Sequence, residues 1–571
     1  MLDYAITGAT VVDGTGAPPL RADVGLRDGR IVSLGTLDEP AARTLDVDGQ
    51  VLCPGFVDPH THYDAQLFWD PTASPSSWHG VTTVIGGNCG FSLAPLLDAD
   101  ADYLRRMMAQ VEGMPLAALA DGLPWKWESF AEYLATLDGG LAVNAGFLVG
   151  HCALRRYVMG TAAVERAATP AEVDSMRTVL RAALGAGGLG LSTTRSVTHK
   201  DGDGQPVASR WASAEELIEL CRVVGEYEGT TLEGIVEGCL SQFREDEIDL
   251  LARMSAEARR PVNWNVLNVE AERADRLAHQ LRASVRARQL GGRVVALTMP
   301  VHVPMNMSFG TFCALWLIPG WDEVLRTDVD ERVRRLLDPA VRQSMLESAR
   351  TSEAFHRLAE FGNYVIGDAF APELAGVVGR RVDELAAERG QDPFTCLAEI
   401  VCADRLRTVL WPQPTSDSET DWTLRSIAWE HPDVLLGGSD AGAHLDRMCG
   451  SSYPTAFLAD TLRGRRLLPL ARAVQLLTDA PARLFGLRDR GRIAVGHHAD
   501  LVVFDPERIA AGPPSLCADL PGGASRLVAR SVGVSHVLVN GVEIVRDGEA
   551  TGRTPGTLLR SGRDTATVDT R

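Results

Sequence analysis

Between residues 55 and 440 the sequence alternates eight apolar, strand-like runs with stretches of helical period, and this alternation limits the fold more than any other feature. The runs are 55–62, 80–89, 143–151, 188–194, 229–236, 261–269, 293–301 and 433–440, with helical segments such as 170–181 and 214–220 between them. Eight strand-and-helix repeats predict an α/β chain folded as a (β/α)8 TIM-like barrel over residues 55–484. In such a barrel the polar residues at the C-terminal ends of the strands share one mouth.

The flanks read differently. Residues 1–54 and 485–552 are rich in short β signals, with Asp28-Gly29 and Asn540-Gly541 as hairpin turns. Neither half can bury a core alone, so the two are expected to pair into one small β-sandwich. The stretch between the seventh and eighth runs is too long for one helix or a bare loop. It predicts an inserted lid subdomain near 303–375, where Trp316, Ile318, Pro319 and Trp321 supply either apolar contact or the insertion's own core. Residues 553–571, rich in Thr, Gly and Arg without periodicity, read as a flexible tail.

Within G-F-V-D-P-H-T-H at 55–62, residues two apart on a strand project to one side. His60 and His62 would then stand as parallel imidazoles able to hold one divalent ion at about 2.0–2.1 Å per nitrogen. The other strand ends carry Cys89, His151, Thr194 with Arg195, Glu233, Asn265, and Asp440 with His444. Imidazole, thiolate and carboxylate in one mouth make a Zn²⁺ set. A divalent ion brings the pKa of water down to about 7, and Asp440 is placed to take the proton and return it to a leaving nitrogen. These are the parts for hydrolysing an amide. His151, Arg155, Arg195, His199, Lys200, Asn265 and His444 are the candidate substrate-binding residues, whereas His79, His279, His302, His356, His431, His497 and His498 lack such context.

The phrases G-F-V-D-P-H-T-H, G-G-N-C-G-F-S at 86–92, G-H-C-A-L-R at 150–155, G-L-G-L-S-T-T at 188–194 and G-G-S-D-A-G-A-H at 437–444 resemble the amidohydrolase superfamily. Within it they look like the N-acyl-D-amino-acid deacylase (D-aminoacylase) branch. The resemblance implies that His60 and His62 are the first-strand metal ligands and Cys89 the cysteine ligand. It implies that Asp440 is the catalytic acid and base and also contacts metal. The branch supplies one histidine from the fifth strand and one from the sixth, where this chain has Glu233 and Asn265-Val266. Glu233 can still act as a carboxylate ligand, and Val266 can bind nothing. A lysine that follows the sixth-strand histidine in the branch is also missing, with Asn268 in its place. One ion, most simply Zn²⁺, is therefore expected rather than two.

Deacylation of an N-acyl amino acid or a related small linear amide is the leading expectation. Hydrolysis of a cyclic amide, imide or lactam on the same fold is the alternative, and a metal-free binding or assembly protein is the third reading. A formal net charge of -19 argues against nucleic acid as a partner. No stretch is apolar enough for a membrane span, and the ten scattered cysteines suit reduced thiols, so a cytoplasmic protein that could form a homo-oligomer is expected.

Overall fold

The computed structural model describes residues 1–311, 314–352 and 355–570. Eight parallel strands organise the part that carries the motifs: β1 (Phe56–Asp58), β2 (Val81–Gly86), β3 (Asn144–Phe147, continued by Val149–Gly150), β4 (Gly190–Thr194), β5 (Thr231–Ile235), β6 (Val262–Trp264), β7 (Val294–Thr298) and β8 (Val434–Leu436). Each lies inside its predicted run. They pair in chain order, as one sheet from β1 to β3 and another from the continuation of β3 to β8. A parallel bridge between Thr61 and Ala441 brings the segment after β8 back to the segment after β1.

Val57, Ile85, Leu148, Leu189, Val295, Leu297 and Leu435, each on or beside one of these strands, share a buried apolar cluster. Strands buried on both faces tend to read as apolar runs, which is why ones such as β7 (V-V-A-L-T) stand out in the sequence. β1 stops at Asp58 because Pro59 has no N–H to donate to a ladder. The two histidines consequently stand just beyond the strand and not on it.

Both ends of the chain share one nine-stranded sheet, in which Val51–Pro54 lies antiparallel to Leu501–Phe504. Along Leu501–Phe504, Leu501 and Val503 pack into the core of this sheet, while Val502 and Phe504 pack toward the main core. The strand's period of two thus serves two cores at once. The turns at Asp28-Gly29 and Asn540-Gly541 place both central residues at positive φ, the geometry that matches the twist of a hairpin.

Residues His302–Ser418 form a second compact unit. Its core stacks Phe361 on Trp321 and on Phe394, at ring-centroid distances of 5.8 and 4.6 Å. Ile318 and Trp321 belong to that core, while Trp316 is half-buried and Pro319 exposed. The insertion therefore runs well past the expected 375. Helices Val382–Arg389 and Pro393–Ala403 give Leu385, Phe394, Leu397 and Val401 to the same core, and helical period alone could not distinguish them from helices of the surrounding repeats.

The tail also departs from expectation. Leu558 and Leu559 are buried, Leu559 within the apolar cluster of the strands, and Leu558 bridges to Ala145. Two adjacent leucines that find an apolar recess outweigh a polar composition. Among the described residues no helix is long and apolar enough to cross a membrane, and the cysteines are free thiols, all but Cys517 buried.

Candidate metal centre

The loop after β2 is held from several sides. Asn88 donates to the carbonyls of Thr61 and Ile85 at 3.1 and 2.9 Å, and Gly90 N–H donates to Ser192 Oγ at 3.0 Å. Between them Cys89 sits at φ 55° with its N–H on Glu233 Oε2 at 2.9 Å. On the opposite side Ser439 donates to Asp58 at 2.5 Å, tying the D-P-H-T-H and G-G-S-D phrases together and setting Asp440 at φ 53°. His444 and Val266 are likewise left-handed, at φ 50° and 72°. Such conformations cost about 1–3 kcal/mol each and persist only where surroundings impose them, most often at functional sites.

These anchors bring one set of atoms together. His60 Nε2 lies 3.4 Å from Cys89 Sγ and 3.3 Å from Asp440 Oδ1. His62 Nε2 lies 3.8 Å from Asp440 Oδ1 and 3.5 Å from Glu112 Oε2. Ligand atoms of His60, His62 and Cys89 all fall within 4.8 Å of one another. Tetrahedral ligands about 2.0–2.3 Å from a zinc ion stand about 3.3–3.8 Å apart, so the spacing suits a divalent ion. The imidazoles do not lie parallel as the two-residue spacing suggested. Their planes cross at 73°, since the two residues lie beyond Pro59 and off the strand.

The electrostatics point the same way. Burial, helped by His199, drives His60 down to about 3, and burial drives His62 well below its usual value, so both rings are neutral and fit to bind metal. Burial also pushes the Cys89 thiol and the Glu112 and Glu233 carboxyls well above their ordinary values. Asp440 is raised to about 7 by burial and by the charge of Asp58, against the hydrogen bond from Asn265. A cation among these groups would relieve all of the acids together. Buried His60 Nδ1, His62 Nδ1 and Glu233 Oε1 have no hydrogen-bond partner. This donor set fits a divalent metal.

The expected residues divide into two groups. Asn265 donates to Asp440 Oδ1 at 3.3 Å. Glu233 lies 4.0 Å from His60 Nδ1. His199, held by Thr194 Oγ1 at 2.8 Å, and His444 stand near enough for their charges to bear on His62. His151 and Arg155 do not join them. His151 spends Nδ1 on Thr193 and Nε2 on Glu216, both at 3.0 Å, and Arg155 is bound to the same carboxylate at 2.5 Å. Both ring nitrogens of His151 are occupied, and Arg155 keeps only its buried Nε without a partner. Arg195 donates to the carbonyl of Ala212 at 3.3 Å, and Lys200 is exposed in a turn bridged to Pro206.

Glu112 was not among the expected residues. It caps the C-terminal end of α1 (Ala101–Val111) and is buried. An acidic residue there opposes the helix dipole, and that mismatch is the one signal the sequence carried.

The amidohydrolase family model matches residues 43–545. The chain is 29% identical over 563 residues to the D-aminoacylase of Alcaligenes xylosoxydans xylosoxydans, covering 98% of this chain and 97% of that protein. It is 30% identical over 567 residues to the N-acyl-D-aspartate deacylase of the same organism, covering 98% and 95%. Among solved structures, the N-acyl-D-glutamate deacylase of Bordetella bronchiseptica, complexed with zinc and a phosphonate mimic of the reaction's tetrahedral intermediate, aligns with a TM-score of 0.64. Identity to it is 27%, covering 98% of this chain and 100% of that one.

Proposed function

This chain belongs to the amidohydrolase family, and we propose that it is a metal-dependent hydrolase that deacylates an N-acyl amino acid or a related small linear amide. The observation that carries the reading is the gathering of His60, His62 and Cys89, with Asp440 beside both imidazoles and more exposed than either. Its side chain is 24% exposed, against 0% for His60 and 2% for His62. The eight paired strands and the Thr61–Ala441 bridge support a (β/α)8 barrel whose mouth holds this centre.

His60, His62, Asp440 and Cys89 would hold one divalent ion, most simply Zn²⁺, which when bound supplies a Lewis acid for the amide carbonyl and lowers the pKa of water. Asp440 takes the proton of the attacking water and delivers it to the departing nitrogen. Asn265 orients that carboxylate through its amide N–H. His199 and His444, both kept neutral by burial at values near 3 and 4, offer uncharged polar edges to the substrate at the same mouth.

Elemental analysis of chelator-washed protein, beside the His60→Ala/His62→Ala variant, tests the reading together with an assay on N-acyl-D-amino acids, N-acyl-L-amino acids and cyclic imides. One tightly held zinc per chain, lost in the variant, with turnover of linear amides is the expected result. Turnover of cyclic imides alone would move the assignment to ring opening, and absence of metal and turnover would leave a binding role.

A further inference from the structure

We propose that Glu112 is a direct ligand of the ion at His60, His62 and Asp440, so that a carboxylate from outside the eight strands completes this chain's metal centre. The proposal rests on the metal-dependent reading above. Its Oε2 stands 3.5 Å from His62 Nε2, the separation of two ligands sharing a tetrahedral zinc ion. Its side chain is 4% exposed, and among the described residues no Lys or Arg stands within ion-pair reach of it. A buried carboxylate with no cation is costly, and a helix C-terminus makes it more so. A divalent ion removes both penalties.

The backbone holds Glu112 in place. Its carbonyl accepts the His444 N–H at 2.5 Å, which clamps the end of α1 onto the loop that carries Asp440 and His444. Gly113 makes the approach possible: at φ +58°, a Cβ there would lie 3.1 Å from Arg447 Nη2, 3.2 Å from His444 Cα and 3.3 Å from His444 Nδ1. β6 contributes only Asn265 to the centre, and an amide is a weak zinc ligand. Glu112 would join His60, His62, Asp440 and Cys89 around the ion, adding a second carboxylate beside the two neutral imidazoles.

The test uses full-length wild type, Glu112→Gln and Glu112→Asp, stripped of metal and titrated with Zn²⁺ and with Co²⁺ against a competing chelator. Dissociation constants and the visible spectrum of the Co²⁺ protein are read, and circular dichroism of the stripped proteins verifies folding. Loss of even an outer hydrogen-bond partner of a ligand weakens metal binding about 10–100-fold. Both variants are therefore expected to bind Zn²⁺ at least about ten-fold more weakly, with an altered Co²⁺ spectrum. Glu112→Asp keeps the charge but withdraws the oxygen, so wild-type affinity in that variant would reduce Glu112 to an electrostatic neighbour and overturn ligation. Wild-type affinity and spectrum in Glu112→Gln, while His60→Ala/His62→Ala loses the ion, would overturn this proposal alone. A wild type that binds neither metal would overturn it together with the reading beneath it.

Discussion

Two buried histidine groups stand at strand ends of this protein, and they differ in how the charge of their carboxylates is balanced. After β3, His151, Thr193, Glu216 and Arg155 bond to one another, leaving only Arg155 Nε without a partner. Burial by itself would raise the Glu216 carboxyl, but hydrogen bonds and charge from His151 and Arg155 bring it below its ordinary value. After β1, His60 and His62 face Cys89, Asp440 and Glu112 with no Lys or Arg among them, and three of the surrounding buried polar atoms have no partner. Burial and residue type are nearly the same in the two groups. What separates the two groups is charge: Glu216 has the Arg155 guanidinium, whereas among the described residues Asp440 and Glu112 have only imidazoles within ion-pair reach.

That contrast can be broken by experiment. Asp440→Asn should lower kcat by about 10²–10⁴-fold while leaving metal content close to wild type, as measured by steady-state kinetics beside elemental analysis. An unchanged rate would remove Asp440 as the proton carrier. Arg155→Ala should cost about 3–5 kcal/mol in urea unfolding, since it strands Glu216 uncompensated, and should leave the metal content of the folded protein alone. Lost metal without lost stability would mean that the β3 group belongs to the centre after all.

The next prediction concerns pH. Folded, metal-free Asp440 holds its proton up to about 7 against an ordinary value of 3.8. The folded state binds more protons between those values, so this group's contribution is fully present below 3.8 and is lost as pH rises through 7. Metal-free Asp440→Asn should therefore be more stable than metal-free wild type at pH 8 by about 1–4 kcal/mol, with the difference vanishing near pH 4. Chemical denaturation of the chelated proteins across that range measures it, and a constant difference would assign the effect to packing. The smallest effect is expected at the end of β6, where Val266 holds φ 72°. Val266→Gly exchanges the strain of a β-branched left-handed residue for backbone entropy and should stabilise by up to about 1 kcal/mol in the same assay.

Much of this was readable beforehand, for identifiable reasons. A strand buried on both faces is rich in apolar and β-branched residues, so β2 and β7 announced themselves in V-T-T-V-I-G and V-V-A-L-T. Asp28-Gly29 and Asn540-Gly541 announced hairpins because few residue pairs accept positive φ in succession. His60, His62, Cys89 and Asp440 were legible because each lies within a short phrase that shapes its own loop.

The sequence by itself determined the order of the strands, the partnership of the two ends and the chemical kinds that follow the strands, all of which rest on local pattern. Only the tertiary structure decided that His151 is spent on Glu216, that Glu112 reaches His62, that the insertion extends to Ser418 and that Leu559 packs among the strands. Periodicity says which face a residue presents. Which distant group meets it there depends on how helices and loops far apart in the chain compete for the same buried donors, acceptors and apolar space, and that competition is settled only when they pack.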